Sequence, residues 1–248
     1  MYFSSLLFLF VFLPIVLAVY YIVPRKFRNA FLLLANLVFY GWGEPVFILI
    51  MIVSVVSNYI FGLLIEKYRD NQKRKKTFLV LSLVISLGLL AVFKYTGFVT
   101  DILRAIPPFS FMPKINLPLP IGISFYTFQT LSYTIDVYRG DTKAQKSLVS
   151  FGTYVSGPIV RYTDIAKMLD ERRENISQFA DGIKLFVVGL AKKVLIANQM
   201  GVLWDTIRGT SSNGIVGAWI GIISYAFQIY FDFSGYSDMA CGLGKMFG

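Results

Sequence analysis

Hydrophobic residues along this chain come in long unbroken runs, separated by short charged clusters. Strands would show strict alternation, and soluble helices a one-sided stripe. Residues Met1 to Pro24 carry no charge, and Arg25, Lys26 and Arg28 follow them. A signal peptide places its basic residues ahead of the apolar run. The order here predicts a first transmembrane helix with its N-terminus outside, with a kink at Pro14 that membrane helices tolerate. Asn29–Gly43 and Pro45–Ile65, parted only by Glu44, predict a helical hairpin turning at Gly41-Trp42-Gly43-Glu44-Pro45. Its first arm of 15 residues is short and relies on bilayer thinning or snorkelling flanks. The tract Glu66 to Lys76 holds six basic residues and reads as a solvated cytoplasmic loop in preference to a lipid- or RNA-binding element. Thr77–Phe93 predicts a fourth span ending at Lys94, and Phe98–Lys114 an outer loop.

The second half is less regular. Ile115–Ile135 is uncharged for 21 residues, yet two prolines and a glycine open it and eight hydroxyl or amide side chains follow. Such groups are costly against hydrocarbon. They predict a helix packed inside a bundle or lining a wet cavity. Asp136 to Lys146 returns the chain to the cytoplasmic side. Ser147–Val160, with 14 uncharged residues broken by Gly157-Pro158, is too short to span and predicts a re-entrant piece. Ile176, Phe179, Ile183, Phe186 and Leu190 are spaced as the stripe of an amphipathic helix. Lys192 and Lys193 divide the apolar run there, so Ile183–Met200 reads as interfacial or inclined. Gly209–Phe231 is uncharged for 23 residues and predicts a last span. The whole, 1–248, reads as one membrane domain of all-α, polytopic transmembrane architecture.

Composition agrees. The hydrophobic share is 56% before 20 glycines are added, and charged residues are 15%. A soluble domain sits near 45–50% and 25%. The net charge of +10 comes from clusters between spans, as cytoplasmic loops require, which argues against nucleic acid as a partner. The 248 residues contain no histidine and one cysteine. No Ser-His-Asp or Cys-His nucleophile, HExxH zinc helix, disulfide or four-thiolate metal site can be built from them. Cys241 is expected to be a small buried hydrophobe. Gly242 and Gly244, two apart, do not make a GxxxG face.

The segment richest in chemistry runs from Gln228 to Ala240. It sets Gln228, Tyr230, Asp232, Ser234, Tyr236 and Asp238 beside the last apolar run. Acids at membrane depth are costly and mark functional cavities. On a helix, Asp232 shares a face with Tyr236, and Ser234 with Asp238. Asp232 and Asp238 point roughly 240° apart, so on one continuous helix they are not an acid/base dyad. A break at Gly235 would change that. An interfacial position, with the tyrosines in an aromatic belt, is the alternative reading.

The stretches YFSSLLFLFVFLP, FYGWGEP, LPIGISFYTFQTLSYTIDVYRG, GPIVRY, GLAKKVLIA and QIYFDFSGYSDMA resemble the membrane-bound O-acyltransferases, in their alginate O-acetyltransferase-like subgroup. The resemblance covers nearly the whole chain in the family's order. It implies a ring of helices around a funnel and transfer of an acyl group to a hydroxyl of an exported, alginate-like polysaccharide. The donor it implies is a cytoplasmic acyl thioester, such as acetyl-CoA or a carrier-protein thioester, with no bound cofactor or metal. The catalytic histidine is expected beyond Gly248, so the resemblance implies an N-terminal portion that is inactive by itself. Gln228, Tyr230, Asp232, Ser234, Tyr236 and Asp238, with Arg161, are expected to line the substrate path. One departure is local. Relatives carry an extra apolar piece with Phe-Pro-Gln before GPIVRY, whereas here Tyr154-Val155-Ser156 runs directly into Gly157. The expected setting is the cell membrane, among lipids and with a periplasmic partner. A transporter component or a non-catalytic scaffold for that partner are the alternatives.

Overall fold

The computed structural model describes residues 3–109, 111, 113–115, 117–156, 160–170, 172, 174–210 and 214–248. These residues form helices and no strand, so the all-α expectation holds. In chain order the helices are α1 (Leu13–Ile22), α2 (Arg28–Gly43), α3 (Ile48–Lys67), α4 (Gln72–Arg104), α5 (Ile123–Arg139), α6 (Leu148–Val155), α7 (Tyr162–Asp170), α8 (Ile176–Ala191), α9 (Asn198–Gly209) and α10 (Gly214–Met246). Among the described residues, α3, α4 and α10 are long and apolar enough to cross a membrane, and Phe8–Ile22 is a shorter apolar helix. This is a membrane protein. The chain forms two compact units, Lys26–Asp170 and Met1–Arg25 with Glu171–Gly248.

In the unit Lys26–Asp170, α3, α4 and α5 pack on one another. The surface of α4 is apolar, with Val80, Leu81, Val84 and Val92 exposed, while Ser82 and Ser86 are buried. Lipid is as apolar as leucine, so polar and small residues are what helices gain by turning toward each other. Asn58 of α3 is the hub of a buried network. Its Nδ2 donates to Ser86 Oγ at 3.0 Å, its Oδ1 accepts from Ser82 Oγ at 2.8 Å, and Ser82 reaches Thr134 Oγ1 of α5 at 3.4 Å. The polar side of α5 is buried as expected, at Tyr126, Thr127, Gln129, Thr130, Tyr133 and Thr134. The helix itself is shorter than the run that predicted it. Pro118 and Pro120 keep the chain non-helical before Gly122, whose φ of +78° suits glycine alone, and Gly140 at φ +88° ends the helix.

Other boundaries also differ from the sequence reading. The hairpin turn is Glu44–Phe47, because α2 carries on through Gly43. The basic tract from Gln72 to Lys76 is the first turn of α4, not a loop. Asn71 caps that turn by accepting from the Arg74 amide at 3.1 Å, and Arg74 and Lys75 lie over the rings of Tyr68 and Tyr138. At its far end α4 takes in Phe98–Arg104, where Thr100 satisfies its hydroxyl on the Gly97 carbonyl of its own helix. The expected re-entrant stretch contains α6, eight residues long and buried from Ser150 to Val155, with Ser147 as its cap. Gly157 and Pro158 lie outside the described residues.

In the other unit, α8, a π-helical turn at Lys192–Ala197 and α9 form one continuous helix, since the joining residues keep right-handed helical dihedrals. It packs along α10. A second π-turn, Phe8–Phe12, precedes Pro14 near the start of α1. The tyrosines at the end of α1 close the end of α10: Tyr20 Oη donates to the Phe247 carbonyl at 2.6 Å and Tyr21 Oη to the Met246 carbonyl at 2.7 Å. The amphipathic stripe lies mostly outside the packing face of α8. Ile176 is 88% exposed and Ile183 is exposed, and only Phe186 of the five is buried. The buried face is Gly182, Phe186, Gly189, Ala197 and Gly201 instead. Small residues bring backbones together, while Ile176, Ile183, Val187 and Val188 are left exposed.

Candidate functional site

Gly182 and Gly189 are seven residues apart on α8, and Gly235 and Gly242 are seven apart on α10. The two helices run antiparallel and meet glycine to glycine. A Cβ on Gly189 would sit 2.6 Å from the Gly235 carbonyl oxygen, and one on Gly182 2.7 Å from that of Gly242. Any side chain there drives into backbone. α10 continues unbroken through Gly235, so the glycine serves contact and not a helix break.

The charges straddle this contact. Residues three before and three after a helical position lie about 60° to either side of it. Asp232 and Asp238 therefore flank Gly235, while Ser234 shares the Asp238 side. Lys192 and Lys193 come three and four after Gly189 and flank it in the same way. Lys192 Nζ donates to Asp238 Oδ2 at 2.6 Å and to Ser234 Oγ at 3.1 Å. Lys193 Nζ pairs with Asp232 Oδ1 at 2.6 Å. The four side chains stay 25–46% exposed, so they are held but reachable. Each carboxylate oxygen accepts more than one bond, so each acid can also take a hydroxyl. The π-turn that begins at Lys192 widens the helix at this point, a device found often at functional positions.

No family model matches the sequence, and no solved structure matches it. Among curated proteins it is 41% identical to "Probable alginate O-acetylase AlgI" of Pseudomonas aeruginosa, over 100% of this chain and 50% of that protein. It is 31% identical to a peptidoglycan O-acetyltransferase of Helicobacter pylori, over 99% of this chain and 54% of that one. A teichoic acid D-alanyltransferase of Lacticaseibacillus rhamnosus follows at 26%, over 84% and 57%. Along its whole length the chain resembles these acyltransferases. It spans about half the length of the curated relatives it matches.

The expected site residues fall into three groups. Asp232, Ser234 and Asp238 are brought to the two lysines. Gln228 lies over Gly201, where a Cβ would meet its Nε2 at 2.7 Å, and its Oε1 is buried without a hydrogen-bond partner among the described residues. Tyr230 and Tyr236 are exposed; Tyr236 stacks on Phe3 with ring centres 5.2 Å apart, and Tyr230 meets Phe231 edge-on. Arg161 belongs to the other unit, where it is exposed. It acts there on Asp136, whose carboxyl burial holds above the usual carboxylate range. Asp141 adds to that rise, whereas Arg161 and Arg139 oppose it. Cys241 is exposed, against expectation, because it follows Gly235 by six and so leaves the packed side of α10.

Sequence reasoning passed over Lys192 and Lys193 as mere dividers of an apolar run. The signal that finds them is Gly-x-x-Lys-Lys at 189–193 set against Asp-x-x-Gly-x-x-Asp at 232–238, with glycines repeated at seven on both helices.

Proposed function

We propose that the protein takes part in O-acetylation of an exported or cell-surface polysaccharide, as a membrane-embedded acyltransferase of the cell membrane, crossing it several times with its N-terminus outside. The observation that carries this reading is the Lys–Asp seam within a chain 41% identical, along its whole length, to an alginate O-acetylase. The relatives' names favour acyl transfer over an export component. In the reaction, an acceptor hydroxyl oxygen attacks the carbonyl carbon of an acyl thioester, a C–O bond forms, and the C–S bond breaks to release a thiol. The hydroxyl proton passes to a base. That base is not an imidazole of these 248 residues, which contain none. Asp232, Asp238 and Ser234 hydrogen-bond the acceptor or orient the base, and Gln228, whose amide oxygen is unpartnered, adds an acceptor one turn from Asp232. The donor is an acetyl or related thioester, and a periplasmic partner receives or positions the polymer.

The test is made in a polysaccharide-producing host from which the gene has been deleted. Loss of polymer O-acetyl groups on deletion, their return with the wild-type gene, and failure to return with Asp232→Asn or Asp238→Asn are expected. Unchanged O-acetyl content on deletion would overturn the function. Full restoration by both variants would overturn the site.

A further inference from the structure

Both acids of the seam are held by a lysine each, and nothing in the motif that singled out the acids pointed to the lysines. We infer that Lys192 and Lys193 are positioning residues for the acyl-transfer site: Lys193 fixes Asp232 on one side of the Gly189–Gly235 contact, and Lys192 fixes Ser234 and Asp238 on the other. The inference rests on the acyl-transfer reading above and deepens it.

The argument starts from what already fastens the two helices. Glycine contacts at Gly182–Gly242 and Gly189–Gly235, the amide of Gln228 over Gly201, and the Trp204 and Tyr225 rings 5.0 Å apart run the length of the seam. Ion pairs with a quarter to nearly half of their side-chain surface exposed add little to such a fastening. Their geometry is costly to arrange for so small a return. Two adjacent lysines diverge to opposite sides of one contact line, each ending 2.6 Å from a different carboxylate. They leave the helix where it opens into a π-turn, which resets the angle of residues 192 and 193 against α10. An acid beside an apolar span that lost its ammonium partner would swing to water. That change removes it from the place where a hydroxyl must be met. The lysines keep both acids aimed at the two edges of the seam.

The experiment uses the whole protein in the deleted host. Polymer O-acetyl content is read against protein amount, and the heat resistance of the protein is read in detergent. Lys192→Ala and Lys193→Ala are expected to lower O-acetylation per molecule by about a hundredfold, the loss that follows a small misplacement of a reacting group. Lys192→Arg and Lys193→Arg should recover most of it. If alanine lowers the amount of protein, Lys192→Gln and Lys193→Gln keep the stem's packing and carry the same expectation. The exchange Lys193→Asp with Asp232→Lys restores the ion pair but moves the carboxylate to the wrong helix. It is expected to recover heat resistance without O-acetylation. Recovery of both would show a structural clamp only and overturn the inference, as would normal O-acetylation in the alanine or glutamine variants. If Asp232→Asn and Asp238→Asn are themselves silent, the site reading fails first, which separates its failure from that of the lysines.

Discussion

Two helix seams in this protein solve the same problem with different chemistry. Between α3, α4 and α5, polar groups are neutral and fully buried: Asn58, Ser82, Ser86 and Thr134 satisfy one another and their own helices. Between α8 and α10, they are ionised and partly exposed, and glycine contacts replace interlocked side chains. A neutral network costs little to bury once it is satisfied, and it fixes one packing. Ion pairs carry a large desolvation cost in the same surroundings and are retained where charge is used. Under the proposed function, the first seam serves structure and the second chemistry.

The comparison breaks most visibly at the glycines. Gly189→Val puts a branched side chain where even a Cβ would meet the Gly235 carbonyl at 2.6 Å and the Met239 amide at 2.7 Å. The obstruction is backbone and cannot give way, so the loss should reach the top of the overpacking range, about 3 kcal/mol. Folded protein recovered from membranes is expected to fall sharply. Gly244→Ala, where nothing lies within 4 Å, serves as the matched control and should leave recovery unchanged. Equal recovery for both would show that the seam is not glycine-packed.

A middle-sized effect sharpens the other side of the contrast. Asn58→Leu replaces the hub amide with an apolar group of similar size. Ser82 and Ser86 can then turn back onto carbonyls of their own helix. The cost should be about 1–2 kcal/mol, read as lower heat resistance in detergent. O-acetylation per folded molecule should stay at the wild-type level, opposite to the outcome expected for Asp232→Asn. A fall in activity per molecule with Asn58→Leu would erase the distinction between the seams.

Which parts were legible in the sequence follows from the same physics. The long runs of α3, α4 and α10 announce themselves because a bilayer demands length and apolarity, and both are visible residue by residue. The ends of α4 are not, since Lys, Arg and Thr are satisfied by a cap at Asn71, by tyrosine rings and by helix carbonyls. The stripe on α8 was readable but the way it turns was not, because a stripe of Ile and Phe marks the inside of a soluble helix and the outside of one in lipid. For the site, the angle between Asp232 and Asp238 was readable from helix geometry and holds in α10. Their partners were not, because Lys192 and Lys193 lie some 40 residues away and only the pairing of α8 with α10 brings them over. Gly182 and Gly189 against Gly235 and Gly242 carried that pairing in plain view, as a repeat of seven instead of four.

The smallest effect concerns an acid that the neutral seam leaves without such a partner. Asp136, at the end of α5, has an Oδ2 that is buried with no hydrogen-bond partner among the described residues. Burial raises its carboxyl above the ordinary range; Asp141 and Asp164 add to this, and Arg161 and Arg139 oppose it. A carboxyl whose folded value is raised destabilises the fold when ionised, and that penalty is relieved as pH falls through the folded value. Asp136→Asn removes the charge at nearly constant shape. The variant is expected to be slightly more heat-resistant than the wild type at pH 8, with the gap closing as the pH is lowered and Asp136 takes up its proton. If the variant is instead less stable at pH 8, Arg161 holds Asp136 as the lysines hold Asp232 and Asp238. The two units would then treat their acids alike.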